Sequence, residues 1–240
     1  MRRVLLPLLL ILLAACATAP SPTTARAETP APAGTAPRDP AEWEPAIRAW
    51  EAEDARVRRM PGSVVFVGSS SIRLWTTLAE DFPGVALLNR GYGGSRAYDA
   101  VYFADRIVSA YQPRAVVFYA GENDLQEGRT PRQVRDDFAA FVRKVQAATP
   151  KVRIAFVSIK PSPSRAAILP QVREANALVR DFARGVRGVD YLDVFTPMLG
   201  ADGAAREELF VGDRLHMNRA GYELWVGVVG PWLAKVPAPR

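Results

Sequence analysis

Five apolar segments of strand length recur along the chain with helical patterns between them, and this alternation leaves few folds open. They are Val64-Val65-Phe66-Val67, Val85-Ala86-Leu87-Leu88, Ala115 to Ala120, Val152 to Ile159, and the shorter Val189-Asp190-Tyr191-Leu192-Asp193-Val194. The first four lack the in-out alternation of a half-solvated strand, so both their faces need covering. That is the pattern of a parallel sheet between helix layers. Parallel strands need right-handed crossovers. The expectation is therefore an α/β fold, a three-layer α/β/α doubly wound sheet of about five parallel strands, flavodoxin-like in plan.

The intervening helices read from their periodicity. Trp43, Ile47, Trp50 and Val57 share one face and predict a helix over 44–58, with the aromatics as core packing. Val101, Ala104, Val108 and Tyr111 mark the next. Thr130, Pro131 and Gln133 have the spacing of an N-cap, a first-position proline and a capping box. The helix they open carries Val134, Phe138, Phe141, Val142 and Val145 on its buried side. Helices over 170–184, with Val172, Ala175, Val179 and Phe182, and over 218–234 complete the pattern.

In such sheets function collects beyond the carboxyl ends of the strands. Three polar loops fall on that edge: Gly68-Ser69-Ser70-Ser71, Asn89-Arg90-Gly91-Tyr92-Gly93-Gly94-Ser95 and Gly121-Glu122-Asn123-Asp124. The first alone reads as a polar turn. Its other reading is a hydroxyl held rigidly at a strand end yet open to solvent, as a serine nucleophile requires. The second is no dinucleotide fingerprint, because Arg96 stands where the third glycine belongs. It is either a structural turn or a loop that brings backbone N–H groups close to a ligand.

Composition narrows the chemistry. The chain has one cysteine, Cys16, and one histidine, His216, so an internal disulfide and a Cys/His zinc site are excluded. No metal or other cofactor is expected. Any histidine base must be His216, and Asp213 stands three residues before it, a spacing that lets a carboxylate reach the imidazole Nδ1–H. The net charge of +6 raises nucleic acid as a partner. The basic residues are scattered, however, and no basic run is interleaved with aromatics, which argues against a nucleic-acid groove.

The amino terminus has a different character. Arg2 and Arg3 precede an apolar run, Val4 to Ala15, that is short for a membrane span and shaped like a secretory leader. It ends in Leu13-Ala14-Ala15-Cys16, which resembles the lipobox of bacterial lipoproteins. That resemblance implies cleavage after residue 15, acylation of Cys16 and, with Ala17 next, sorting to the outer membrane of a Gram-negative cell, facing the periplasm. More than one acyl chain would give stable anchoring. Residues 16–40 are rich in Ala, Pro and Thr and read as an extended tether. Residues 41–240 form the domain.

Serine after the first strand, a glycine loop after the second, Gly-x-Asn-Asp after the third and Asp-x-x-His near the end together resemble the SGNH hydrolases, the GDSL-type esterases and lipases. The resemblance covers roughly residues 62–235. It implies that Ser70 is the nucleophile, with Ser69 in place of the family's aspartate and Ser71 the alternative register. It implies that His216 is the base and Asp213 its orienter. Ser70 and Gly94, through backbone N–H groups, and Asn123, through its side-chain amide, would form the oxyanion hole. The implied reaction is hydrolysis of an acyl ester, short-chain or on a sugar or lipid, in the cell envelope. The Gly-x-Ser-x-Gly elbow of the other large esterase fold is absent. Acyl transfer on the same site, or a non-catalytic lipoprotein that binds a glycan there, are the competing readings. Of the flanking residues, Trp75 is expected to pack, Glu122 to shape its loop, and Arg73 either to face substrate or to pack.

Overall fold

The apolar runs pair into one parallel sheet in a computed structural model that describes residues 38–57 and 61–238. The strands are β1 (Val64–Gly68), β2 (Leu87–Gly91), β3 (Ala115–Tyr119), β4 (Arg153–Val157) and β5 (Val189–Leu192), in the spatial order β2-β1-β3-β4-β5. The longer helices are α1 (Glu44–Asp54), α4 (Ala97–Ile107), α6 (Pro131–Ala148), α7 (Leu169–Gly185) and α8 (Arg219–Leu233); the short ones are α2 (Ser70–Arg73), α3 (Leu78–Asp81) and α5 (Glu122–Gln126). The leader over residues 1–15, Cys16 and most of the 16–40 tether lie outside the described residues.

Alternate side chains of each strand enter two separate cores. Val65, Val67, Val116, Phe118, Ile154 and Phe156 face α1, α4, α6 and α7. Val64, Phe66, Val117, Tyr119, Ala155 and Val157 face the layer built by α3 and α8, with Trp75 and Trp225 fully enclosed. Both faces of β1 and β3 are thus apolar because both are covered. Trp75 packs against Phe66, Phe82, Tyr222 and Trp225, and its indole N–H donates to Asp81 at 2.6 Å. The expected capping box opens α6: the Gln133 N–H donates to Thr130 Oγ1 at 3.2 Å and the Thr130 N–H to Gln133 Oε1 at 2.8 Å.

The fourth strand is shorter than its apolar run, and Val108 and Tyr111 lie past the end of α4, Tyr111 in a separate 3-10 turn, Ser109–Tyr111; two further boundaries bear on the site. The first helix ends at Asp54, not residue 58, so Val57 lies past it and is exposed. The second strand begins at Leu87 and runs on through the polar Asn89-Arg90-Gly91, paired with Phe66, Val67 and Gly68 of β1. Polarity hid it. Arg90 is buried all the same, because Asp54 takes its guanidinium at 2.7 and 2.8 Å and Tyr111 accepts from its Nε at 3.0 Å.

Candidate active site

The turn after β1 presents a single serine. Gly68 sits at φ +143°, where a Cβ would stand 1.8 Å from the Tyr119 carbonyl oxygen, so only a residue without a side chain lets the two strands run this close. The Ser69 N–H then donates to that carbonyl at 3.0 Å and the chain turns into α2, with Ser70 its first residue. Asn89 braces the turn from β2: its Nδ2 donates to Ile72 O at 2.7 Å and its Oδ1 accepts the Gly91 N–H at 2.9 Å. From the other side the Tyr222 hydroxyl donates to Ser71 O at 3.0 Å. Ser69 and Ser71 are buried, whereas Ser70 remains half-exposed.

The histidine comes from a loop 146 residues away in sequence. An antiparallel bridge, Phe210 with Met217, closes this loop, and within it the Arg214 N–H donates to Val211 O and the Val211 N–H to His216 O, both at 2.8 Å. Asp213 Oδ1 accepts the backbone N–H groups of Leu215 and His216, each at 2.9 Å, while Oδ2 lies 2.6 Å from His216 Nδ1. The backbone N–H of His216 is the largest of the forces that hold the Asp213 carboxyl down at about 2; the Leu215 N–H and the imidazole add to it against desolvation. With Nδ1–H donating to a carboxylate, Nε2 is the lone-pair nitrogen, and it lies 2.9 Å from Ser70 Oγ. Ser70, His216 and Asp213 thus come together in one chain of hydrogen bonds.

Gly94 lies on the loop after β2 and Asn123 in the first turn of α5, and side chains stitch the two together. Asn123 Nδ2 donates to Ser95 O at 2.9 Å, and the carboxylate of Asp124 accepts the Ala97 N–H at 3.0 and 3.1 Å. Arg96, buried at 2% exposure, reaches Glu127 of the third loop at 3.0 Å and also pairs with Glu42. Burial is the dominant influence on Asp124 and pushes its carboxyl up to about 7. Gly94 is in the left-handed region at φ +85°. Among the described residues, neither the Ser70 nor the Gly94 N–H is used in a turn, loop or cap hydrogen bond.

Around these residues Lys160, Ser162 and Arg165 take up partners that no local spacing announced. Glu122, read as shaping its loop, does so as half of a buried ion pair: Lys160 Nζ donates to its Oε2 at 2.6 Å, and the hydroxyls of Tyr119 and Ser162 donate to the same carboxylate. Burial pushes the Glu122 carboxyl up, but the charges of Lys160 and Arg165 outweigh it and leave it below its usual value. Arg165 donates to Asn123 Oδ1 at 3.0 Å. Trp43 packs on the core as expected, half-buried, and also rests on Gly94. Arg73 is exposed, with its guanidinium against Gly93. Among the described residues no group of three or more His, Cys, Asp and Glu side chains is arranged to hold a metal ion, and no helix is long and apolar enough to cross a membrane. A cavity of about 470 Å³ lies at the opposite edge of the sheet, lined by residues such as Gln112, Arg114 and Lys151, and shares no residue with this constellation.

A hydroxyl facing an imidazole nitrogen, with the other nitrogen held by a carboxylate, can lose its proton as it attacks an electrophile. Unused N–H groups nearby can receive the negative charge that develops. Residues 62–224 match the model of the GDSL-like Lipase/Acylhydrolase family. No curated protein matches the chain. Among solved structures, a GDSL-like lipase from Bacteroides thetaiotaomicron superposes with a TM-score of 0.71 at 21% identity, over 80% of this chain and 98% of that one. A lipase/acylhydrolase from Enterococcus faecalis does so with a TM-score of 0.59 at 17% identity, over 75% and 99%. A carbohydrate esterase family 3 protein from Talaromyces cellulolyticus gives 0.53 at 19% identity, over 72% and 97%.

Proposed function

The chain belongs to the GDSL-like lipase/acylhydrolase family, whose members are carboxylic ester hydrolases, and we propose that it works as a serine esterase with Ser70 as nucleophile. The observation that carries this reading is the unbroken relay from Ser70 Oγ to His216 Nε2 at 2.9 Å and from His216 Nδ1 to Asp213 at 2.6 Å. Ser70 Oγ bonds to the ester carbonyl carbon while His216 Nε2 takes its proton. Asp213, charged throughout, stabilises the imidazolium. The carbonyl π electrons move to oxygen, where the N–H groups of Ser70, Gly94 and Asn123 Nδ2 receive the charge. One such donor is worth about 3 kcal/mol in the transition state. Collapse breaks the bond to the alkoxide, which takes the proton from His216. Water, deprotonated by the same imidazole, then releases the acid and restores Ser70.

The substrate we propose is a short-chain acyl ester on a sugar or lipid. The likeness to a carbohydrate esterase favours O-acyl sugars as the first to try. The lipobox-like Leu13-Ala14-Ala15-Cys16 supports an acyl anchor on Cys16 and a place on the periplasmic face of the outer membrane. Incorporation of labelled palmitate into the wild type but not into Cys16→Ser tests the anchor.

Labelling with a fluorophosphonate tests the chemistry. The reagent should add to Ser70, located by peptide mass, and the wild type but not Ser70→Ala should hydrolyse p-nitrophenyl acetate. A protein that binds acylated glycans yet resists the reagent would mark a non-catalytic module instead.

A further inference from the structure

The side-chain amide of Asn123 has two nearly isosteric orientations, and only one of them presents N–H groups toward the Gly94 loop. A guanidinium can donate but never accept. Arg165 Nη2 donates to Asn123 Oδ1 at 3.0 Å, while Asn123 Nδ2 donates to Ser95 O at 2.9 Å. Flipping the amide would set its NH₂ against the guanidinium and its carbonyl against the Ser95 carbonyl. Both contacts would turn repulsive, so Arg165 and Ser95 select the orientation between them.

Among the described residues Arg165 makes no direct ion pair, although its charge also helps to hold Glu122 ionised. No carboxylate lies within ion-pair distance of it among the described residues, whereas Arg96, Arg129 and Arg214 are all paired. Its Nη1 is buried without a hydrogen-bond partner. The residue sits in the short turn Pro163–Ile168 that follows β4, at the one position there where the backbone leaves helical geometry, φ −118° and ψ 27°. From there its guanidinium meets the carbonyl end of the amide. A charge-assisted bond to Oδ1 polarises the amide and strengthens its N–H as a donor.

We propose that Arg165 is a positioning residue of the oxyanion hole, one that holds the Asn123 amide with its N–H toward the ester carbonyl oxygen and polarises it. The proposal rests on the serine-esterase reading above. Because charge on the carbonyl oxygen appears only in the transition state, the contribution of Arg165 falls on kcat and not on KM.

Arg165→Ala and Arg165→Gln, made in the full chain, test it with p-nitrophenyl acetate. The alanine variant should lose about tenfold to hundredfold in kcat with KM unchanged. Guanidinium ion at concentrations well below denaturing should restore part of that rate, and should not do so in Asn123→Ala. The glutamine variant keeps a neutral donor and should fall between alanine and wild type; it carries the test if alanine does not fold. A kcat at the wild-type level in both variants, or a change confined to KM, overturns the proposal. If instead the wild type shows no activity that depends on Ser70, the esterase reading itself fails, and the two failures are separate.

Discussion

The indole of Trp43 rests on Gly94: a Cβ built on that glycine would lie 3.4 Å from Trp43 Cη2. The ring is held edge-on to Tyr92 at 5.5 Å, and its N–H donates to Asp99 Oδ2 at 3.1 Å, the same oxygen that accepts the Arg96 N–H. A segment that precedes the family-matched region therefore presses on a loop of the candidate site. Trp43→Ala should lower kcat for p-nitrophenyl acetate by about tenfold and cost about 1–3 kcal/mol of stability. Trp43→Phe should recover most of both, as steady-state kinetics and thermal melts would reveal.

The adjacent Ser70 and Ser71 should separate cleanly. Ser70→Ala is expected to lose all measurable hydrolysis while melting like the wild type. Ser71→Ala should keep its activity, since that side chain is buried and only its backbone carbonyl holds Tyr222. Asp213→Asn should lose on the order of 10⁴-fold in kcat, because an amide no longer holds the productive tautomer of His216. Parallel kinetics on the three variants check this.

Asp124 should leave a pH signature in stability. Its carboxyl stands at about 7 in the folded protein against an ordinary value of 3.8. The folded state thus holds a proton that the unfolded chain releases, so the contribution of this group is greatest below pH 3.8 and is lost as pH rises toward 7. Asp124→Asn can still accept the Ala97 N–H and has no such slope. Thermal midpoints of variant and wild type, compared across this range, should move in the variant's favour as pH rises; a constant difference would show that Asp124 titrates normally.

Removing one partner of the Glu122–Lys160 pair should be far worse than removing both. Lys160→Met leaves a buried carboxylate without its cation and should cost about 3–5 kcal/mol. Glu122→Gln combined with Lys160→Met should recover a large part of that loss. Denaturant titration of the single and double variants gives the coupling directly.

Gly68→Ala combines a left-handed φ with a backbone clash and has no flexible neighbour to yield, because the obstruction is the Tyr119 carbonyl of β3. The strand would have to part from its neighbour where Ser69 takes its turn. We expect at least about 3 kcal/mol of destabilisation and loss of esterase activity together, read by melting and by turnover on the same sample.

The strand-helix alternation, the caps of α6 and the buried face Val134, Phe138, Phe141, Val142 and Val145 were all legible in the sequence, because periodicity and capping are local properties. So were Ser70, Asp213, His216, Gly94 and Asn123 as candidates, since each stands in a short motif next to a strand end or helix start. The end of α1 and the polar half of β2 were not. Asn89 and Arg90 look like loop residues until Ile72, Asp54 and Tyr111 are there to satisfy them.

The elements, their order and the loops on which chemistry can sit follow from patterns a few residues long, and so can be read along the chain. That His216 meets Ser70 across 146 residues, that Arg165 orients the Asn123 amide, that Lys160 neutralises Glu122 and that Trp43 closes over Gly94 emerges only in the folded chain. Each of those contacts joins residues on different elements. Their distances are set by how the sheet packs its two helix layers, and no local spacing encodes that.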